Sequence, residues 1–396
     1  MNIASLSHWV RGSRARGGVL AGGLCLSATL AAAAPPALAA AALPTAPAAV
    51  TQVSGDLRSV SAVSASDAWA VGPAGTSGRP TFLHWNGSAW TRVTVPVPNQ
   101  KMPILNSVSA DSASDAWAVG QSNGATSGIV NLVLHWNGTA WAPVPVPSPG
   151  TGTVFDALDS VSALSPTDVW AVGSFSHNNS PVALALHWDG TAWTQVPVPN
   201  AAQNTLFAVK GLSPTDAWAV GSTGTGQILV LHWNGTAWIQ AATPNLNGQL
   251  TAVSALSPTD AWAVGLGGSG STQSLVLHWD GTSWTRQRSP NPAGTSTGKF
   301  NDLNGVAAVS ATDAWAVGTY GHQGLMTPAG KPLVLHWDGT SWTQAKAPFF
   351  GGFSGLGGVS AVSATNVWAV GSVNSGPQFT PTTLILHWNG TAWTRS

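Results

Sequence analysis

Histidine and aspartate recur through this 396-residue chain at matched positions. Together these side chains build charge relays, acid–base pairs and metal sites. The histidines of seven Leu-His-Trp segments are His84, His135, His187, His232, His278, His336 and His387. Aspartates open six Asp-Ala/Val-Trp-Ala-Val-Gly segments at Asp67, Asp115, Asp168, Asp216, Asp260 and Asp313, with Asn366 in the seventh place. A metal centre or catalytic pair needs such groups to converge, and here each set lies in its own repeat with no His-x-His and no paired carboxylates. The residues are therefore read as structural hydrogen-bonding groups, with each repeat aspartate expected to bind nearby backbone amides. No metal, cofactor or catalytic residue is expected.

Composition removes other chemistries. The chain has no glutamate, one tyrosine and one cysteine, Cys25. Sialidase chemistry, which uses Glu, Tyr and an arginine cluster, is excluded, as is a copper-radical oxidase with Tyr and Cys partners. A two-aspartate hydrolase built from Asp156, Asp159 or Asp302 stands third among the functional readings.

The elements that carry these residues follow from the repeat. Spacings between successive Asp/Asn positions are 48, 53, 48, 44, 53 and 53 residues. A period near 50 holding several short strands marks a propeller-like array. Four strands fit each unit, in the third at 158–163, 169–173, 182–188 and 191–198. The expected fold is all-β, a seven-bladed β-propeller with four antiparallel strands per blade over residues 57–396. In Ser-Pro-Thr-Asp, at Ser165 to Asp168, Pro presets a φ angle and Asp is expected to cap the turn.

Asn-Gly or Asp-Gly joins the third and fourth strands, and a two-residue type I′ turn needs positive φ at both positions. That turn pairs Trp136 with Thr139, His135 with Ala140 and Leu134 with Trp141. Leu134, Trp136 and Trp141 then crowd one face, leaving His135 and Ala140 on a slimmer one. Three tryptophans per repeat account for 21 of the 22, and packing is their expected role. Prolines such as Pro143, Pro145 and Pro147 mark the fourth strand as the outer edge. Residues 49–53 resemble the tail missing after Trp393 and are expected beside the C-terminal strand.

Arg11, Arg14 and Arg16 precede an apolar stretch ending in Ala37-Leu38-Ala39, the order of a secretory signal. Residues 1–39 are assigned to that signal, with cleavage after Ala39, and 40–56 to an Ala/Pro-rich linker with a ring-closing strand. Retention as an anchor is the competing reading. Without the signal, eleven basic side chains face fourteen acidic ones, so the folded part carries about −3. No basic cluster offers a footprint for nucleic acid. The expected protein is secreted or held at the cell surface, without stable membrane insertion after cleavage.

Tandem Ser-x-x-Asp-x-Trp-Ala-Val-Gly and Leu-His-Trp-Asp-Gly-x-x-Trp units resemble exported bacterial seven-bladed propeller proteins, over residues 57–396. The layout is also similar to bacterial seven-bladed fucose-binding lectins, Asp280-Gly281-Thr282-Ser283-Trp284 being a representative segment. This resemblance implies a propeller and, from the lectins, carbohydrate recognition.

Unlike the repeats, the connections at 72–80, 174–181, 289–304, 318–332 and 349–357 differ in length and content. Binding residues concentrate on loops held by a rigid scaffold. The candidates there are His177, Arg286, Arg288, Lys299, Tyr320, His322, Lys331, Phe349 and Phe350. The expected function is non-enzymatic binding of carbohydrate or a cell-surface ligand. The alternative is a protein-interaction scaffold at the envelope, so the partner is a glycan or a surface protein. Sites repeated around the ring favour a lectin, and a single site of unlike residues favours a protein partner.

Overall fold

Alternating small and branched residues form twenty-eight β-strands, with no helix among the described residues. This computed structural model describes residues 53–396 except 76–77, 98–100, 125–127, 151–154, 269–271, 324–328 and 375–379. The signal assigned to 1–39, and the linker up to residue 52, lie outside the described residues. Each repeat supplies four antiparallel strands. In the third repeat they are Asp156–Ser165, Asp168–His177, Ser180–Trp188 and Trp193–Gln195.

The strands bond into six sheets, one of eight strands and five of four, where the repeats predict seven separate blades. The eight-stranded sheet joins the first two repeats through one bridge, Pro73 with Ile104. The first strand of that sheet, Ser59–Ser64, is short, and Pro73 lies in the tail of its partner Asp67–Ala74.

First strands surround a central channel, and their serines join one repeat to the next. An inner edge strand has backbone amides with no ladder partner. Here hydroxyls of the preceding repeat accept them. Val108 and Ala110 N–H donate to Ser59 and Ser61 Oγ at 3.2 and 3.0 Å. Val161 and Ala163 donate to Ser107 and Ser109, Val209 and Gly211 to Ser160 and Ser162, and Ala308 to Ser254. The ring closes where Ala62 N–H donates to Ser360 Oγ at 3.0 Å. N-terminal residues reinforce that seam. Thr383 N–H donates to Val53 O, and Gly55 N–H to Pro381 O, both at 2.9 Å. Val53 to Gly55 thus line the third strand of the last repeat.

Between repeats the core is indole. Trp117 is fully buried and stacks on His135 of its own repeat at 4.2 Å. Its other side meets Trp188 at 5.1 Å and Trp193, edge-on, at 5.4 Å in the next repeat. The face expected to be slim therefore carries the second-strand indole. Each such aromatic pair adds about 0.5–1.5 kcal/mol beyond its buried area. Trp117 and Trp193 Nε1 have no hydrogen-bond acceptor.

The hairpin register differs from the two-residue turn. Trp136 pairs with Trp141, His135 with Ala142 and Leu134 with Pro143, so the loop is four residues long. Asn137 Oδ1 accepts the N–H groups of Thr139 and Ala140, both at 3.0 Å, and the Thr139 hydroxyl at 2.8 Å. This holds Asn137 away from positive φ and leaves only Gly138 there, at +88°. A slip of two residues keeps every side chain on its face, so Leu134, Trp136 and Trp141 still crowd together. The fourth strand is three residues rather than the eight of 191–198, because prolines end its ladder. One further bond, Val196 N–H to Ala185 O at 2.9 Å, follows it.

Candidate functional site

The repeat histidines and aspartates bond to each other. Nε2 lies 2.8 Å from the carboxylate in His187–Asp168 and 2.9 Å in His232–Asp216. The same pairs occur at His84–Asp67, His135–Asp115, His278–Asp260 and His336–Asp313. Asp was expected to bind backbone amides. It binds the imidazole instead, because both side chains leave paired strands on one face, with Trp170 opposite His187 in the ladder. The turn is capped by serine, Thr167 N–H donating to Ser165 Oγ at 3.3 Å. In the seventh repeat Asn366 Oδ1 lies 2.9 Å from His387 Nε2, and burial pulls that imidazole below its ordinary pKa. Among the described residues no three His, Cys, Asp or Glu side chains group as metal ligands.

Chemistry that is not repeated gathers at one mouth of the channel. Each first strand carries a buried leucine, then one residue that the ladder skips. Register jumps from Leu105 to Ser107, Leu206 to Ala208, Leu250 to Ala252, Leu303 to Gly305 and Leu356 to Gly358. These are β-bulges, which bend a strand and re-aim a side chain. They explain the glycine of every Ala-Val-Gly. A Cβ on Gly173 would come within 2.9 Å of Leu158 Cα and closer still to the Ala157 carbonyl oxygen, and Gly120 and Gly221 face the same obstruction.

Skipped positions are Asn106, Asp159, Phe207, Thr251, Asn304 and Gly357, with Arg58 in the equivalent place of the first repeat. All line one cavity of about 170 Å³. Arg58 donates to Asn106 Oδ1 at 2.5 Å. Asn106 Nδ2 in turn donates to Leu158 O at 2.9 Å and reaches Asp159 Oδ1 at 3.4 Å. Thr251 Oγ1 donates to Leu303 O at 2.6 Å and Asn304 Nδ2 to Leu356 O at 2.8 Å. Each of these bonds fastens a mouth side chain to the next repeat, so the site is held rigid before any ligand arrives. Burial pushes the Asp159 carboxyl up to about 7 against the pull of Arg58. A cleft of about 370 Å³ adjoins it, sharing Arg58 and Asn304 and adding Asp56, Phe353 and Ser372. Burial also raises the Asp56 pKa, opposed by the Ser372 hydroxyl and by Arg58.

Residues chosen from the variable connections fall into separate places. In the sixth repeat Lys299 pairs with His322 and Tyr320 with Lys331 across adjacent ladders. The Lys331 ammonium lies 5.5 Å from the centre of the exposed Phe349 ring. Tyr320 and Phe350 pack against core clusters, and the Arg395 guanidinium covers Phe350 at 4.7 Å. Arg286 and Arg288 line another groove, of about 430 Å³, with Ser274 and Asn291. His177 ends a strand at a true two-residue turn, Asn178 and Asn179 both having positive φ. The nine are thus not one site.

Of the three hydrolase aspartates only Asp159 reaches the mouth. Asp156 is fully buried and accepts Gly150 N–H at 3.2 Å, and Asp302 accepts the Thr272 hydroxyl at 2.5 Å. Arg58, Asn106, Phe207, Thr251 and Asn304 were not singled out from sequence. Their signal is the position before the small-Val pair of each first strand, which varies around the ring with Asn recurring at Asn106 and Asn304.

No protein-family model and no curated protein matches this chain. Solved structures do. YCF48 bound to D1 peptide is 16% identical with a TM-score of 0.53, over 88% of this chain and 98% of that one. YCF48 from Cyanidioschyzon merolae is 17% identical with a TM-score of 0.46, over 76% and 87%. The six-bladed β-propeller lectin of Aleuria aurantia, with its fucose recognition mode, is 12% identical with a TM-score of 0.47, over 74% and 95%. At these identities the likeness concerns the fold, a tandem-repeat β-propeller.

Proposed function

We propose that this chain is a secreted, non-enzymatic seven-bladed propeller that binds one extended ligand at the variable-loop mouth of its channel. The ligand class that fits best is a polypeptide segment exposed on a partner protein. The eight-stranded sheet counts as two blades in this reading, because its two halves are complete four-strand repeats joined by one bridge. One observation carries the functional reading. Around the channel the skipped positions are occupied by a mixed set, Arg58, Asn106, Asp159, Phe207, Thr251 and Asn304, while the Trp-Ala-Val-Gly and Leu-His-Trp segments recur in every repeat. The mouth is therefore a single site.

Clefts between repeats, which a multivalent lectin would use, are filled by indoles such as Trp117 against Trp188 and Trp193. Arg58 has N–H groups for peptide carbonyls and Asp159 has oxygens for peptide amides. YCF48, whose fold is similar, is described bound to a peptide. Carbohydrate is the second reading, favoured by half-buried Phe207 beside planar polar side chains, the combination that stacks on a sugar ring and bonds its hydroxyls. Asp156 is engaged by Gly150 in the connection before its strand and Asp302 by Thr272 of the preceding repeat, which supports binding over hydrolysis.

The test is parallel peptide and glycan arrays with the mature protein and with Arg58→Ala. Peptide hits lost in the variant support the first reading. Glycan hits lost in the variant replace it with the second, and hits of either kind unchanged by the variant remove the mouth as the site. N-terminal sequencing of exported protein tests cleavage after Ala39.

A further inference from the structure

Deeper in the channel, one layer below the mouth, the first strands present Ser61, Ser109, Ser162, Lys210, Ser254, Ala307 and Ser360 around a cavity of about 310 Å³. The five serines each accept an N–H from the next repeat. A hydroxyl that accepts there keeps its own hydrogen to donate, and among the described residues none of these hydrogens has a protein acceptor. Lys210 occupies the serine position of the fourth repeat. By the repeating register the group opposite it is the Ala255 amide, just as Ala110 faces Ser61 and Ala308 faces Ser254. An ammonium has only donors, so it cannot replace the missing hydroxyl. The layer above repeats the defect: Ala208 stands where a serine would accept the Val253 amide, as Ser160 accepts Val209.

Two backbone amides, an ammonium and neighbouring hydroxyls therefore face one space as donors with no acceptor between them. Lys210 has no hydrogen bond or ion pair among the described residues, and burial without a counter-charge lowers its pKa. The waist layer itself contains no carboxylate.

We propose that the waist of the channel at Lys210 is a binding site for a small oxyanion, held by the Lys210 ammonium, the Val253 and Ala255 amides and the flanking serine hydroxyls. The anion is a carboxylate or an inorganic oxyanion. It arrives either free or as the carboxylate end of a chain entering from the mouth. This site is independent of which ligand the mouth takes.

The experiment labels the mature protein with 15N-valine and 15N-alanine and titrates it with inorganic phosphate, acetate, and a short peptide as its free acid and as its C-terminal amide. Affinities come from calorimetry in a buffer without competing oxyanions. The Val253 and Ala255 resonances are expected to shift with at least one carboxylate or oxyanion. Lys210→Ser, which restores the repeat serine and gives Ala255 its acceptor, is expected to bind at least about tenfold more weakly, the scale of losing one charged hydrogen bond. A response to phosphate or acetate alone identifies a free anion, and a response to the free acid but not the amide identifies a chain end. Absence of any shift, or unchanged affinity in Lys210→Ser, overturns the proposal. Lys210→Met provides the same comparison if the serine variant does not fold.

Discussion

Gly173→Ala tests the bulge that aims Asp159 into the mouth. A new Cβ would lie 2.9 Å from Leu158 Cα and 3.0 Å from the Ala157 carbonyl carbon, both backbone atoms of the bulged strand. No side-chain rotation relieves that overlap, so the first strand must move away from its partner. Overpacking of this kind costs about 1–3 kcal/mol, and the rigid surroundings place the cost near the upper end. Unfolding entropy of about 2.1 cal/mol/K per residue over roughly 340 residues gives ~0.7 kcal/mol/K, so ~3 kcal/mol lowers Tm by about 4 °C. Gly226→Ala is the control, since its φ of +77° is strained but nothing lies within 4 Å of the added carbon. A second readout is the carboxyl carbon of Asp159 by NMR. Its titration midpoint, about 7 in the parent, should fall toward the ordinary carboxylate range once the bulge shifts and water enters. A Tm within about 1 °C of the parent, with the Asp159 midpoint unmoved, would refute the argument that this glycine exists for the bulge.

Asp159→Asn is expected to change the pH dependence of stability. The folded-state pKa is raised from 3.8 to about 7, so the folded protein binds the extra proton, and stability present below pH 4 is lost as pH rises to about 7. The variant should match the parent near pH 4 and be more stable at pH 8 by roughly 2–4 kcal/mol, allowing for water at the mouth. Asp56, Asp156 and Asp302 are shifted the same way, so the difference between variant and parent in urea melts is the measurement. Asp216→Ala removes the acceptor of His232, 2.9 Å away, and should cost about 1–2 kcal/mol. Asp216→Asn should cost less, since Asn366 already serves His387 in the seventh repeat, and equal losses would discount the pair. Trp193→Ala deletes the edge-on neighbour of Trp117 and should lower unfolding free energy by about 3–5 kcal/mol in denaturant.

Features set by short-range pattern were legible in the sequence, and those set across the channel were not. Four strands per repeat follow from turn residues and alternation. The indole faces survive even a mistaken hairpin, because Asn137 capping its own loop moves the register by two residues and two is the side-chain period. The role of Asp168 was missed because its partner, His187, is nineteen residues away and becomes a neighbour only when two ladders form around the same strand. Variation in loop length points to strand ends such as His177 and Lys299, which belong to different repeats and need not converge. Convergence is instead a property of the ring. Only when the first strands stand side by side do Arg58, Asn106 and Asp159, separated by 48 and 53 residues, become three consecutive members of one hydrogen-bonded string. The same reasoning identifies Lys210, which in the sequence is a lone charge in an apolar strand and in the ring is the one ammonium in a layer of hydroxyls. In a repeat protein, then, a residue that breaks the pattern at an inner-strand position carries more functional information than a longer loop at the rim, because the ring gathers every inner-strand exception around one axis.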